Sequence, residues 1–419
     1  MKLSEVCRLE IQTGEPNSFI LSHSELNDGD IGLAGLEDFI LDVNSVLDED
    51  QFSGGSFYYQ NVLDDAAQVS IQRGMILASG ATPYAVAGSI TAVVRSKEID
   101  PFHTPQYKTG AKTRFQVLYN GIDYVSIFEG RLRSIDSDYD VDGGTLVQFE
   151  ATDAIDDLAK VRLNEVSFPA QNAGERMQAI MDSAGYPTDL IPNSSGHNFE
   201  MKAEVLSESA LEACEEVNEH ELGALLVTKT NQVQFLTYGE TNVPEEANPI
   251  FTNKAINSNN KVSMTDIGMS SGKELFFNKV IAQTEGDDTV YEKKASVSVQ
   301  RHGEVPYQKK NLKLNVAGGA GSGSTPVNEY MDRFLERWSD IPDDIKYTDP
   351  RRYAKKAYFV NRTTDFRYPV IAEIGDKVTI DFETDFVDVN QESMIMNIRH
   401  DLNPDRWLST IELIPVPNN

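Results

Sequence analysis

The sequence predicts a mainly β protein with an α+β insert. Two β-barrel or β-sandwich modules, each with a short helix, flank a unit of two helices and a hairpin. Three observations carry this. Alternating apolar runs fill residues 1–160 and 266–419, and segments with a 3.6-residue apolar period lie between them. The end of the chain also echoes its first third. Gly110-Ala-Lys112 opens a run at Phe115 to Leu118, Tyr124 to Phe128 leads into Gly130-Arg-Leu-Arg133, and Leu146 to Glu150 follows an acidic turn. Downstream, Gly375-Asp-Lys377 opens Val378 to Phe382, and Met394-Ile-Met leads into Asn397-Ile-Arg-His400. Leu408 to Glu412 then follows a polar turn at Asn403-Pro-Asp405. The offsets Gly110 to Gly375 (265), Gly130 to Asn397 (267) and Glu150 to Glu412 (262) are nearly constant. Alone, the pattern fits a duplicated module and chance alternation alike.

The elements follow in order. Val69 to Ile71 and Ser89 to Val94 read as strands separated by Gly74, Gly80 and Pro83. Residues 22–55 are acidic and Gly-rich and read as a long surface loop. Ala154 to Lys160 reads as the short helix that closes the first module. The middle unit, 161–265, begins with a helix over Ala173 to Ala184, stopped by Gly185-Tyr-Pro187. Ser209 with Glu212 three residues on makes a capping box for a second helix carrying Ala210, Leu211, Cys214 and Val217 on one face. A hairpin over Ala224 to Lys229 and Gln232 to Thr237 turns at Thr230-Asn231. In 266–419, Asn278 to Ala282 and Ala295 to Gln300 read as strands, and the Gly/Ser stretch 317–324 as a flexible loop. Thr325-Pro326 starts a helix, 325–338, striped by Val327, Tyr330, Met331, Phe334, Leu335 and Trp338.

Composition bounds function. A chain of 419 residues favours two to four domains. Its net charge of −29 argues against gripping a nucleic-acid backbone, which needs clustered Lys and Arg, and against stable docking on an anionic membrane. No apolar run approaches the ~18 residues that cross a bilayer. The N-terminus shows no secretory pattern, so synthesis in the cytoplasm is expected. Two cysteines, Cys7 and Cys214, make no disulfide framework.

Little in the chain points to chemistry. Asp138, Asp140, Asp142 and Gly143 match the first half of a calcium loop, but the twelfth position is Phe149 instead of a bidentate Glu. Strands flank the turn, so a solvated hairpin loop competes with a metal site. The glycine stretch lacks the Lys-Ser or Lys-Thr of a phosphate loop, and His220-Glu221 lacks a second histidine. His220 reads as a helix C-terminal cation. His23, His103, His197, His302 and His400 show no ligand spacing. No catalytic residue, metal or cofactor is expected. The basic clusters Lys309, Lys310 and Arg351, Arg352, Lys355, Lys356 read as interface candidates that meet the acidic face of a neighbour.

Several motifs, taken in order, resemble the minor tail proteins of siphophages. They are Gln60 to Gly74, Gly88 to Arg95 with Asp100-Pro-Phe102, Phe128-Glu-Gly-Arg131 and Phe149-Glu-Ala-Thr-Asp-Ala154. Ala184-Gly-Tyr-Pro187, Asn278-Lys-Val280, Glu373-Ile-Gly-Asp376 and Ile398-Arg-His400 with Trp407 continue the series to the end of the chain. The resemblance implies a baseplate hub at the distal tail tip, like the hubs of contractile phages. It implies two tail-tube-like β-domains per chain and a homotrimer that mimics a six-fold ring. The implied partners are the distal tail protein, the tape-measure protein and tip or fibre proteins, with DNA in transit through the lumen. The implied location is the virion. A glycan-binding tail module and a tail-associated cell-wall hydrolase are the alternatives.

Overall fold

The computed structural model describes residues 3–13, 58–64, 67–77, 82–96, 107–119, 121–139, 145–186, 199–237, 241, 244, 249–256, 258, 260–271, 276–286, 288–314, 326–339, 352–361, 368–385 and 387–416. The loops expected at 22–55 and 317–324, and Thr325, lie outside these residues.

The first segment comprises α1 (Leu3–Val6), β1 (Cys7–Thr13), β2 (Tyr58–Asn61), β3 (Gln68–Leu77), β4 (Pro83–Ser96), β5 (Lys112–Tyr119), β6 (Asp123–Tyr139), β7 (Thr145–Thr152) and α2 (Ala154–Lys160). The middle unit has β8 (Val166–Phe168), β9 (Gln171–Asn172), α3 (Ala173–Ser183), β10 (Glu200–Met201), β11 (Glu204–Leu206), α4 (Ala210–Glu221), β12 (Ala224–Val227) and β13 (Val233–Leu236). The last segment opens with β14 (Ile250–Thr252), β15 (Lys261–Ser263), β16 (Asp266–Ser271), β17 (Lys279–Thr284), β18 (Val290–Lys294) and α5 (Ser296–His302). It continues through β19 (Pro306–Leu312), α6 (Pro326–Trp338), β20 (Arg352–Asn361), α7 (Tyr368–Ile371), β21 (Lys377–Glu383), β22 (Asp388–Asn403) and β23 (Arg406–Pro415).

The expected mainly β architecture is present, and the echo is real in three dimensions. β5-β6-β7 and β21-β22-β23 are antiparallel meanders with matched details. Gly110 and Gly375 both have φ +87°. The Gly110 N–H donates to the Leu132 carbonyl (2.6 Å), and the Leu132 N–H to the Ala111 carbonyl (2.8 Å). The Gly375 N–H donates to the Ile395 carbonyl (2.8 Å), and the Ile395 N–H to the Asp376 carbonyl (2.9 Å). A bulge follows at once in both, between Leu132 and Ser134 and between Ile395 and Asn397. After it, Ser134 faces Glu150 and Asn397 faces Glu412. Ser134, not Gly130, is therefore the counterpart of Asn397. The alignment by sequence slips there because β6 and β22 differ in the residues before their bulges.

The meanders belong to one 14-stranded sheet, joined where β22 pairs with β3 from Asn397↔Gly74 to Leu402↔Val69. Its order along the main path ends at β2 and β15, so the described strands form a curled open sheet and not closed barrels. One core fills the first curl with Leu9, Ile11, Ile71, Phe115, Phe128 and Phe149, and takes Leu402 and Trp407 from the second meander. A second core holds Phe251, Phe359, Ile380 and Ile411 together with the α6 stripe. Each such side chain contributes roughly 1.5–3 kcal/mol on burial.

The helices and hairpin of the middle unit form where the sequence predicts. Asn172 and Ser209 cap α3 and α4 with complete capping boxes. Asn231 at the hairpin turn adopts φ +63°, and its side-chain carbonyl accepts the Ala154 N–H at the start of α2 (2.8 Å). Three expectations fail. Residues 296–302 form a helix, not a strand: Val297 points to solvent, Gly303 stops the helix at φ +74°, and the Ser298 hydroxyl donates to the Ser339 carbonyl (2.7 Å). Gly74 lies inside β3, where it serves a bulge, instead of separating strands, whereas Pro83 opens β4. His220 is not a cation. It is buried, donates from Nδ1 to the Glu216 carbonyl and accepts at Nε2 from the Lys313 N–H, and burial lowers its pKa to about 4.

Candidate functional site

The two meanders share one outward face. Across β6-β7-β4-β3-β22-β23-β20, the residues Ser134, Glu150, Thr91, Ser70, Asp401, Leu408 and Val360 lie directly side by side. One ladder step away, Ser89, Gln72, Arg399, Thr410, Tyr358 and Asp266 continue the face onto β16. Period-two geometry explains it: the intervening Phe149, Ile71, Leu402, Ile411 and Phe359 point into the cores. The result is a largely polar surface eight strands wide, with Leu408 and Val360 as its apolar members, that crosses the junction between the modules.

Several of its charges are paired, while Asp136, Asp138 and Asp266 are exposed. Arg399 Nε contacts Asp401 Oδ2 (2.8 Å), and the Ser70 hydroxyl donates to Asp401 Oδ1 (2.8 Å). Burial opposes the charge on Asp401, but Arg399 and Ser70 outweigh it and hold the carboxyl below its usual range. Lys356 meets Glu412 directly across the ladder (2.5 Å). Arg133 lies 3.8 Å from Glu150. This face therefore does not display the uniform acidity that a net charge of −29 suggests.

Behind the face, a polar knot fixes the middle unit. Arg73, on the inner side of β3, pairs with Glu373 (2.6 Å) and donates to the Ala372 carbonyl (3.3 Å). The other Glu373 oxygen accepts the Lys229 N–H from the β12-β13 turn (2.9 Å), and Lys229 Nζ donates to the Ile371 carbonyl (3.2 Å). Asp376 accepts from the Tyr368 hydroxyl and the Glu373 N–H, while burial raises its pKa to about 6. At the far pole Arg333 of α6 pairs with fully buried Glu221 of α4 (3.1 Å), and Arg337 donates to the Leu222 carbonyl (2.7 Å). These clamps tie the middle unit to the segment before β21, which Arg73 links to β3, and to α6.

The sequence candidates fall unevenly. Lys309 pairs with Glu219, and Lys356 with Glu412, within the chain. Lys310 is exposed on β19, and Lys355 is half-buried on β20. Arg351 lies outside the described residues, as do the side chain of Arg352 and the loop residues Asp140 and Asp142. Asp138 is in the β6 ladder opposite Leu146. Among the described residues no cluster of three His, Cys, Asp or Glu is arranged to hold a metal. Both cysteines are buried thiols. The eight-strand face itself was missed as a site. Its signal is the Ser/Thr/Gln alternation in β3, β4 and β7, but only the ladder order assembles it.

No protein-family model matches the sequence, and neither does any curated protein. Solved structures do. The 43 kDa tail protein of prophage MuSo2 from Shewanella oneidensis superposes with a TM-score of 0.54 at 13% identity, covering 86% of this chain and 96% of its own. The tail protein from Neisseria meningitidis MC58 gives 0.54 at 11% identity, covering 86% and 94%. The chain thus has a fold in common with these tail proteins over nearly their whole length.

Proposed function

We propose that the chain is a structural component of a phage tail, acting as the distal hub of a long-tailed phage. In this reading it is a homotrimer in the virion. It joins the tail tube and distal tail protein to the tape-measure protein and the host-contacting tip, and it forms part of the DNA exit channel. The observation that carries the reading is the largely polar face that runs across two equivalent meanders. A duplicated module lets three chains present six equivalent wall segments. The paired charges of the face suit a wall past which a polyanion moves without being gripped, since net phosphate neutralisation by Lys and Arg is what drives adhesion. Exposed Lys310 and half-buried Lys355 are the basic candidates best placed for contacts with neighbouring proteins.

No observation favours the glycan-reading alternative. Trp338 and Trp407 are both buried and supply no exposed platform. Light scattering of the purified chain tests the hub, with a trimer bearing a central opening in negative-stain images expected. A strictly monomeric protein at all concentrations overturns it. Clearing in a cell-wall zymogram would overturn the non-enzymatic part of the reading.

A further inference from the structure

We infer that α5 of a second copy of this chain docks where β3 and β4 meet α4, setting its Val297 on Ile76 and Tyr84 and its Arg301 on Glu215. The inference rests on the oligomeric reading above and assigns one contact between its copies. The receiving surface is built from two units of the chain. Ile76 and Tyr84 stand directly opposite each other across the β3-β4 ladder, so their side chains share one face. Ile76 is 48% exposed there. The Tyr84 hydroxyl donates to Glu219 of α4, which Lys309 also contacts. Glu215 lies one helical turn before Glu219 on the same side of α4 and is half-buried. Burial raises its pKa to about 7, and the like charges of Glu219 and Glu212 add to the shift. Lys309 neutralises Glu219, and no ion pair reaches Glu215 among the described residues. An exposed apolar pair beside such a carboxylate fits a group that is apolar at one end and cationic at the other.

α5 presents that group. Two contacts hold its inner side. The Ser298 hydroxyl donates to the Ser339 carbonyl (2.7 Å), and the His302 ring meets Phe276 edge to face with centroids 5.4 Å apart. Val297 and Arg301 are four residues apart, so they share one side of the helix, and that side is turned to solvent. Val297 is 58% exposed. An exposed valine one turn from an exposed arginine matches the apolar pair and the carboxylate in order and in chemistry. Both surfaces stay exposed in the single chain, so one chain does not satisfy the first with the second.

Charge explains why copies gain from this contact. At a net charge of −29, a contact that sets a cation on an unneutralised carboxylate offsets part of the repulsion between copies, and the apolar area beside it is removed from water. The contact is heterologous: α5 of one copy meets β3, β4 and α4 of the next, and repetition of such a contact about an axis closes a ring.

Charge reversal tests this, read by light scattering over a concentration series of the full chain. Arg301→Glu and Glu215→Arg are each expected to raise the concentration at half assembly by at least ~tenfold. For Glu215→Arg the direction is diagnostic. That substitution makes the chain less acidic, so long-range repulsion alone would strengthen assembly. The double variant has the native net charge and rebuilds the pair in reverse, and it should assemble within ~threefold of the native chain. Val297→Ser should weaken assembly without any change in charge. If the native chain forms a trimer and the single reversals assemble as it does, or the double variant fails to recover, the α5 contact is wrong and the hub reading survives. A monomer at every concentration removes both.

Discussion

Gly74→Ala isolates the seam between the modules. Gly74 has φ +139°, and a Cβ built on it would sit 2.3 Å from the Met396 carbonyl oxygen and 2.6 Å from Asn397 Cα. Both atoms are backbone of β22, so no side-chain rotation relieves the contact; β3 and β22 must separate. Two costs add: roughly 1–3 kcal/mol for the backbone conformation and roughly 1–3 kcal/mol for overpacking. Gly110→Ala supplies the control. Gly110 has φ +87°, but nothing lies within 4 Å of the place its Cβ would take, so only the first cost applies. Gly74→Ala should therefore be less stable than Gly110→Ala by about 1–3 kcal/mol. Trp407 reports directly, since it is 2% exposed and pairs with Leu402 beside the seam. In a Trp338→Phe background it is the only indole. Urea titrations followed by its emission should show the larger midpoint shift for Gly74→Ala. Equal shifts for the two variants would refute the close β3–β22 approach and the joined sheet with it.

Two further outcomes follow from buried ionisable groups. His220 has a folded-state pKa of about 4, against about 6.5 when unfolded, so the unfolded chain binds the extra proton between those values. Its contribution to stability is then fully present above pH ~6.5 and is lost as pH falls toward 4. The loss is at most about 3 kcal/mol, and His220→Gln should remove it from unfolding curves compared at pH 7.5 and 4.5. Arg333→Met strands Glu221, which is 0% exposed and keeps the Phe199 N–H (3.1 Å) as its partner among the described residues. Denaturation should show a loss of about 3–5 kcal/mol. A loss under ~1 kcal/mol would mean that α6 does not clamp α4.

What the sequence made legible was local. The capping box at Ser209, the α6 stripe and the turn at Thr230-Asn231 depend on residues within a few positions of one another. The reading of 295–300 as a strand failed because Val297 and Val299 alternate like a strand while only tertiary partners decide burial. Ser298 finds its acceptor at Ser339, far along the chain. The face that forms the candidate site depends on still longer range. Ser70 and Asp401 are 331 residues apart, and no local pattern says that β3 lies beside β22. The echo could be seen but not placed, since a four-residue slip at Gly130 leaves the alternation intact.

The placement also bears on how so acidic a chain would assemble in the proposed hub. At −29, copies repel one another at long range, screened beyond ~8–10 Å at physiological salt. Attraction must then come from short-range contacts with little net charge of their own. The eight-strand face has that character, with Arg399 set against Asp401 and Lys356 against Glu412. The β6 end of the face differs, because Asp136 and Asp138 stand exposed there, and like charges at that end discourage indiscriminate pairing with another copy.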